Sequence, residues 1–371
     1  MHLTVVSSID SLCRQQACQD LAAGEPESVV VLHDLLENGV VIRRVFSADQ
    51  LLERVETQLE HGCLSCTVRL DLVPTIEGLL SGGATRIIVG LPSAVPAAAA
   101  IAALDRGLSS PFTIDSAVLA CAPDALEDHI WDHHTLFESG FTPIHEDQRT
   151  PGEFLLGELC FNDTVLLAAP DIVPADQQGH ERGVHLIREL APHAHVAPRA
   201  ADVRPGLHHY SDAVARTVPG TVHDPAPCGT VPASPFATVF HSVERPLHPE
   251  RFRHALATLA EGCCVLRGRL WIASAPECRI AIQGIGPRVW LENTGAWGTR
   301  TDSTPSGSSS VTAGKLNRQP ERRGTLLAAT GEDVDPAEIE QLLRSCELTD
   351  AEMLAGFDGL HDPFGLQSEE P

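Results

Sequence analysis

Cys63 and Cys66 stand three residues apart in the stretch His61-Gly62-Cys63-Leu64-Ser65-Cys66-Thr67-Val68-Arg69-Leu70-Asp71. Thiolates are soft ligands, and C-x-x-C spacing lets two of them hold one edge of a zinc tetrahedron. No second C-x-x-C follows, so further ligands must come from other side chains, with His61 a close neighbour. Two other readings stay open. One is a thioredoxin-like redox pair, which would open a helix in a different βαβ setting. The other is a pair of buried cysteines acting as small hydrophobes. Arg69 and Asp71 are expected to fix the helix that follows.

The remaining candidates are weaker. Asp128-His129-Ile130-Trp131-Asp132-His133-His134 sets His129 and His133 one helical turn apart. That spacing fits a surface helix face, with metal binding as the alternative. His193, His195, His208 and His209 fall in or near irregular segments and read as loop residues, a secondary zinc reservoir being the alternative. Cys263 and Cys264 open a core strand, and Cys13 and Cys18 are expected to face different ways on one helix. No G-x-S-x-G stretch and no Ser/His/Asp or Cys/His set appears in a recognisable local frame, so nucleophilic catalysis lacks support.

The chain has 371 residues, which suggests about two domains, and 43% are hydrophobic, enough for real cores. Acidic residues outnumber basic ones 50 to 26, for a formal charge of −24. Like charges repel, so direct binding to nucleic acid or an anionic membrane is not expected, whereas a basic protein face remains a possible partner. Lys315 is the single lysine, and arginine supplies the other cations. Eleven cysteines in a chain of this length do not make a secreted disulfide scaffold. The opening Met1-His2-Leu3-Thr4-Val5-Val6 lacks a basic and then apolar leader, and no apolar run nears the ~20 residues of a membrane span. A cytoplasmic location is the expectation.

The elements that must position Cys63 and Cys66 read as a doubly wound α/β domain. Short apolar strands are expected at Leu3–Val6, Val29–Leu32, Arg86–Gly90, up to Ser116, and at Thr164–Ala168. Helices are expected at Ser11–Ala22, at Val73–Leu80 and at Val95–Leu104. A further helix is expected at Asp49–Glu60, with Asp49 as its cap. Prolines recur from Ala197 to Pro235, which reads as a linker or a long ordered loop. Strand and helix patterns in the order β-α-β-β-β-α then suggest a small α+β domain. The expected division is 1–196, a linker at 197–235, and 236–367 with a mobile loop near 298–322 around Thr301–Ser310.

Gly62-Cys63-Leu64-Ser65-Cys66-Thr67-Val68-Arg69, with Asp71-Leu72, resembles the G-C-x-C-C-T-V-R-x-D-L stretch of the CobW-type P-loop GTPases, which act as metallochaperones and insertases. His241 to Arg251, Val265 to Ala273, and Cys346 through Phe364 resemble the start, middle and end of the CobW C-terminal domain. The resemblance implies a P-loop GTPase-like parallel-sheet domain followed by a ferredoxin-like CobW C-terminal domain. It also implies zinc, with Asp34 and Glu37 in the loop that carries carboxylates in the family, and His33 beside them.

Departures from the family bear on function. Where the family has G-x-x-x-x-G-K-[ST], this chain has Ser7-Ser8-Ile9-Asp10-Ser11-Leu12-Cys13-Arg14. Glycine and lysine are missing and Asp10 brings the wrong charge for phosphate. The acidic-Thr-Thr-Gly element has become Val89-Gly90-Leu91-Pro92-Ser93, and N-K-x-D has become Ala168-Ala169-Pro170-Asp171. The middle sulfur of C-x-C-C is Ser65, whose hydroxyl is a poor zinc ligand at neutral pH. The resemblance with these losses implies a pseudo-GTPase that binds or senses zinc and needs no GTP. Its arginine-rich, alanine-rich character is similar to that of actinobacterial factors that recruit a ribosome-hibernation protein to the small subunit under zinc starvation. The alternative is a GTP-dependent metallochaperone with a client metalloenzyme.

Overall fold

The computed structural model describes residues 1–48, 50–59, 64–170, 176–222, 234–298 and 323–366. Met1–Val218 belongs to a first compact unit, while Thr238–Gly284 and the chain from Arg288 onward belong to a second.

In the first unit the strands are β1 His2–Ser7, β2 Val29–Leu35, β3 Val40–Ser47, β4 Gln50–Gln58, β5 Arg86–Gly90, β6 Thr113–Cys121, β7 Thr164–Leu167 and β8 His195–Ala197. They form one sheet in the order β4-β3-β2-β5-β1-β6-β7-β8. β1 pairs in parallel with β5 and β6, β2 with β5, and β7 with β6 and β8. The helices are α1 Ser11–Gly24, α2 Leu64–Thr67, α3 Val73–Ser81, α4 Ala97–Gly107, α5 Leu126–Trp131, α6 Pro151–Phe161, α7 Gln177–Leu190 and α8 Tyr210–Thr217. A π-helical turn, Val68–Leu72, joins α2 to α3.

Two cores cover the two sheet faces. On one, Leu3, Val5, Val31 and Val89 pack against Val68, Leu72 and Ile76 and against Ile101 and Leu104 of α4. On the other, Val6, Leu32, Ile88 and Val118 pack against Cys13, Ala17 and Cys18 of α1. Strands buried on both faces explain the continuous apolar runs in the sequence. From β2 across to β8 the sheet is parallel and doubly wound, as expected of a P-loop GTPase-like domain, while β3 and β4 form an antiparallel hairpin at one edge.

Three expectations need correction. Residues from Asp49 were expected to form a helix, but Gln50–Gln58 is strand β4, antiparallel to β3 at the sheet edge. The apolar positions there fit either period, and pairing with β3 decides between them. Leu51 and Leu52 stay exposed, while Glu53, Arg54 and Glu56 charge the edge. The stretch 197–235, expected as linker or loop, holds α8, whose Ala213 is fully buried in the first core. Arg216 of α8 donates to the carbonyls of Cys160 and Phe161, tying α8 to the end of α6. Cys13 and Cys18, expected to diverge, are both buried in one cluster.

The second unit contains β9 Ala237–Val243, α9 Pro249–Ala260, β10 Cys263–Leu270, β11 Cys278–Ile285, β12 Arg288–Ala296, β13 Thr325–Gly331, α10 Pro336–Cys346 and α11 Asp350–Ala355. Its sheet order is β12-β11-β10-β13-β9. Phe252, Ala255 and Leu259 of α9 and Ile339, Leu343 and Cys346 of α10 cover that sheet. Cys263 and Cys264 are buried in β10, the core role expected of them. The loop expected near 298–322 lies almost wholly outside the described residues.

Candidate functional site

The connection from β1 to α1 is only Ser8-Ile9-Asp10. Asp10 caps α1, and its Oδ1 accepts from the N–H groups of Leu12 at 2.9 Å and Cys13 at 2.8 Å. An aspartate at this position satisfies donors that a helix start otherwise leaves open, and its charge suits the positive end of the helix dipole. The same N–H groups would serve a phosphate, so this helix start already holds its anion. Gly90 brings β5 up against α1. A Cβ added there would lie 2.5 Å from Leu32 Cδ2 and 2.9 Å from Cys18 Sγ.

Arg14 lies one turn into α1 and is fully buried. Its Nη1 donates to the carbonyl of His33 at 2.7 Å and to that of Leu91 at 2.9 Å. Its Nη2 meets Asp34 Oδ1 at 2.5 Å, and Arg44 Nη2 meets Asp34 Oδ2 at 2.8 Å. One guanidinium therefore joins α1 to the carboxyl ends of β2 and β5. In a doubly wound sheet that edge is where a ligand would sit. Burial alone would raise the Asp34 carboxyl, but Arg14 and then Arg44 outweigh it and hold it below the usual carboxylate range. A lone arginine on the apolar face of α1, beside Cys13, Ala17 and Cys18, was the signal for this network in the sequence.

A second network lies beneath the cysteine motif. Asp71, in the π-helical turn, is nearly buried. Its Oδ1 meets His33 Nε2 at 2.8 Å, and Arg43 Nη1 donates to both carboxylate oxygens at 3.0 Å. Burial would raise Asp71, but its hydrogen bond with His33, and then the Arg43 guanidinium, hold it below the usual range. Asp71 thus fixes the helix that follows Cys66, as the sequence suggested, and does so by gripping β2 and β3. With Nε2 turned to the carboxylate, His33 Nδ1 is buried with no hydrogen-bond partner among the described residues. In the neutral ring, a proton on Nε2 facing the carboxylate leaves the Nδ1 lone pair for a metal.

The expected site residues are distributed unequally. Cys66 is half-buried in α2. His61 and Cys63 lie outside the described residues. Asp34 has both oxygens on arginines, and Glu37 is exposed in a short 3-10 turn before β3. Asp171, the one position retained from N-K-x-D, also lies outside the described residues. Cys66 thus carries a sulfur donor suited to zinc, and His33 a nitrogen donor. The β1–α1 connection does not fit a nucleotide: it is too short to wrap a phosphate and its donors are taken.

Residues 236–347 match the model of the cobalamin synthesis protein cobW C-terminal domain. The chain carries a CobW C-terminal domain. Over 93% of its length it is 27% identical to a zinc chaperone of Mycobacterium tuberculosis, covering 88% of that protein. It is 24% identical to zinc-regulated GTPase metalloprotein activator 1 of Dictyostelium discoideum, over 90% of this chain and 75% of that one. Among solved structures, the zinc-bound YjiA GTPase of E. coli aligns with 94% of this chain and 99% of its own. That alignment is at 11% identity and a TM-score of 0.38. The CobW C-terminal match and the doubly wound first unit agree with the architecture that the sequence suggested. No helix among the described residues is long and apolar enough to cross a membrane.

Proposed function

We propose that this CobW-type chain handles zinc through Cys63 and Cys66 and acts by protein contact, without binding or hydrolysing GTP. The observation that carries the reading is the β1–α1 connection. Its donors are spent on Asp10, and Arg14 fastens the surrounding strand ends. Bringing a polyphosphate there would unmake a cap worth about 1 kcal/mol and place like charge against Asp10. Zinc is the cargo. Cys66 and Cys63 supply thiolates, His33 a nitrogen held by Asp71, and His61 and Glu37 stand as further candidates. Asp34 is a candidate only if zinc displaces its arginines. The two relatives named for zinc support the choice of metal.

For the partner, the acidic chain favours a basic protein face. We place it in ribosome hibernation under zinc starvation, recruiting a hibernation factor to the small subunit in the cytoplasm. Co-purification from zinc-starved cells should recover that factor or the subunit, and recovery of a metalloenzyme alone would contradict it. A Cys63→Ala/Cys66→Ala variant should lose one zinc per chain at pH 7, and an unchanged stoichiometry would remove the cysteine site.

The second reading is a GTP-dependent metallochaperone delivering zinc to a client metalloprotein. The relative named a zinc-regulated GTPase metalloprotein activator favours it. Phosphate release from GTP, stimulated by a client, would establish that reading in place of the first.

A further inference from the structure

Away from the cysteine motif, the first unit gathers a second set of metal-ligating groups just beyond α5. The helix ends at Trp131, with Asp132 as its C-cap, so His133 leaves the helical path. The pair that the sequence offered, His129 with His133, is thereby separated. His129 instead packs edge-on against Phe141, with ring centroids 5.2 Å apart, and burial holds its imidazole below the ordinary value. His133 turns to its neighbour: the rings of His133 and His134 lie 4.0 Å apart, tilted by 35°. Ligand atoms of Asp132, His133 and His134 all lie within 4.8 Å of one another, the one such group among the described residues.

We propose that Asp132, His133 and His134 form a second zinc site, separate from Cys63 and Cys66, that takes the ion from solvent. Two imidazoles and a carboxylate suit zinc and its borderline neighbours better than magnesium or calcium. Asp132 Oδ1 accepts from His134 Nδ1 at 2.8 Å, while its Oδ2 accepts from Ser139 Oγ at 2.6 Å. Zinc bonds to nitrogen and oxygen are about 2.0–2.1 Å, so two tetrahedral ligands stand about 3.3 Å apart. Opening the Asp132–His134 contact by about half an ångström lets zinc bind Nδ1, with the ring proton carried on the solvent-facing Nε2.

Neighbouring groups prepare the site. The carboxylate of Glu138 is held by Thr135 at 2.8 Å and 3.1 Å, which fixes the turn that follows the histidines, and water completes the coordination. Leu136 is fully buried and its N–H donates to the Arg149 carbonyl, anchoring the loop below the histidines. His133 and His134 themselves are exposed, so an ion reaches them without opening the fold. The choice of zinc rests on the function proposed above.

The test is a zinc titration of the full chain at pH 7.5, followed by calorimetry, in a Cys63→Ala/Cys66→Ala background. That background should still bind one zinc with micromolar affinity. Adding His133→Ala/His134→Ala should abolish the isotherm, and Asp132→Asn should weaken it about tenfold or more. Cobalt at the same site should lack thiolate charge-transfer absorption. A flat isotherm in the cysteine-free background, or one untouched by the histidine substitutions, would overturn the proposal. Either result leaves the cysteine site standing if the unmodified chain still loses one zinc on removal of Cys63 and Cys66.

Discussion

Arg14 is the residue on which the first unit's ligand edge depends. Its guanidinium answers two carbonyls and Asp34 inside the fold, so removing it leaves three acceptors without their donor. Breaking a buried pair from one side costs about 3–5 kcal/mol, and the partial exposure of Asp34 places Arg14→Ala near about 3 kcal/mol. Urea unfolding of that variant should show a loss of this size, whereas a change within about 0.5 kcal/mol would mean a surface-like role. The same networks set a pH response. Asp34 and Asp71 titrate lower in the folded chain than the ordinary value of about 3.9. Their contribution is therefore complete above about pH 5 and is lost as pH falls through the unfolded and then the folded values. The urea midpoint should fall between about pH 5 and pH 3, and Asp34→Asn/Asp71→Asn should flatten that fall.

At the scale of elements, α1 is clamped at its start by Asp10 and along its face by Gly90. Gly90→Ala should cost about 1–3 kcal/mol, because the new methyl meets Leu32 and Cys18 across a close contact. Asp10→Ala should cost about 1 kcal/mol through the lost cap, and thermal unfolding reads both. Neither substitution should create nucleotide binding, since the connection stays three residues long.

Much of this framework was legible in the sequence. β1, α1, β2, α3, β5, α4 and β7 all formed near their expected bounds, because buried parallel strands and long amphipathic helices leave strong patterns. The hairpin of β3 and β4 was not legible. Leu51, Leu52, Val55 and Leu59 fit a helical period, and only pairing with Val40–Ser47 makes them a strand. Helix α8 was hidden by the prolines around it. At the site, the absence of a G-x-x-x-x-G-K-[ST] pattern between β1 and α1 could be read directly from Asp10 and the missing glycines. What replaces it could not, because Arg14, His33, Asp34 and Asp71 are distant in sequence and meet only through the sheet register.

For the whole molecule, the formal charge of −24 bears on any partner met through a surface. An acidic chain meets a basic protein through long-range attraction that salt screens over about 8–10 Å. The association proposed above with a hibernation factor or the small subunit should weaken as ionic strength rises, and binding that is indifferent to salt would point to an apolar surface instead.

The central claim is that a nucleotide-binding architecture has been retained without its nucleotide. The most direct measurement is the fluorescence titration of a labelled GTP analogue, with magnesium, into the full-length chain loaded with zinc and free of it. The account predicts no saturable signal in either form up to the highest concentration reached. Saturable micromolar binding that unlabelled GTP competes away would contradict it.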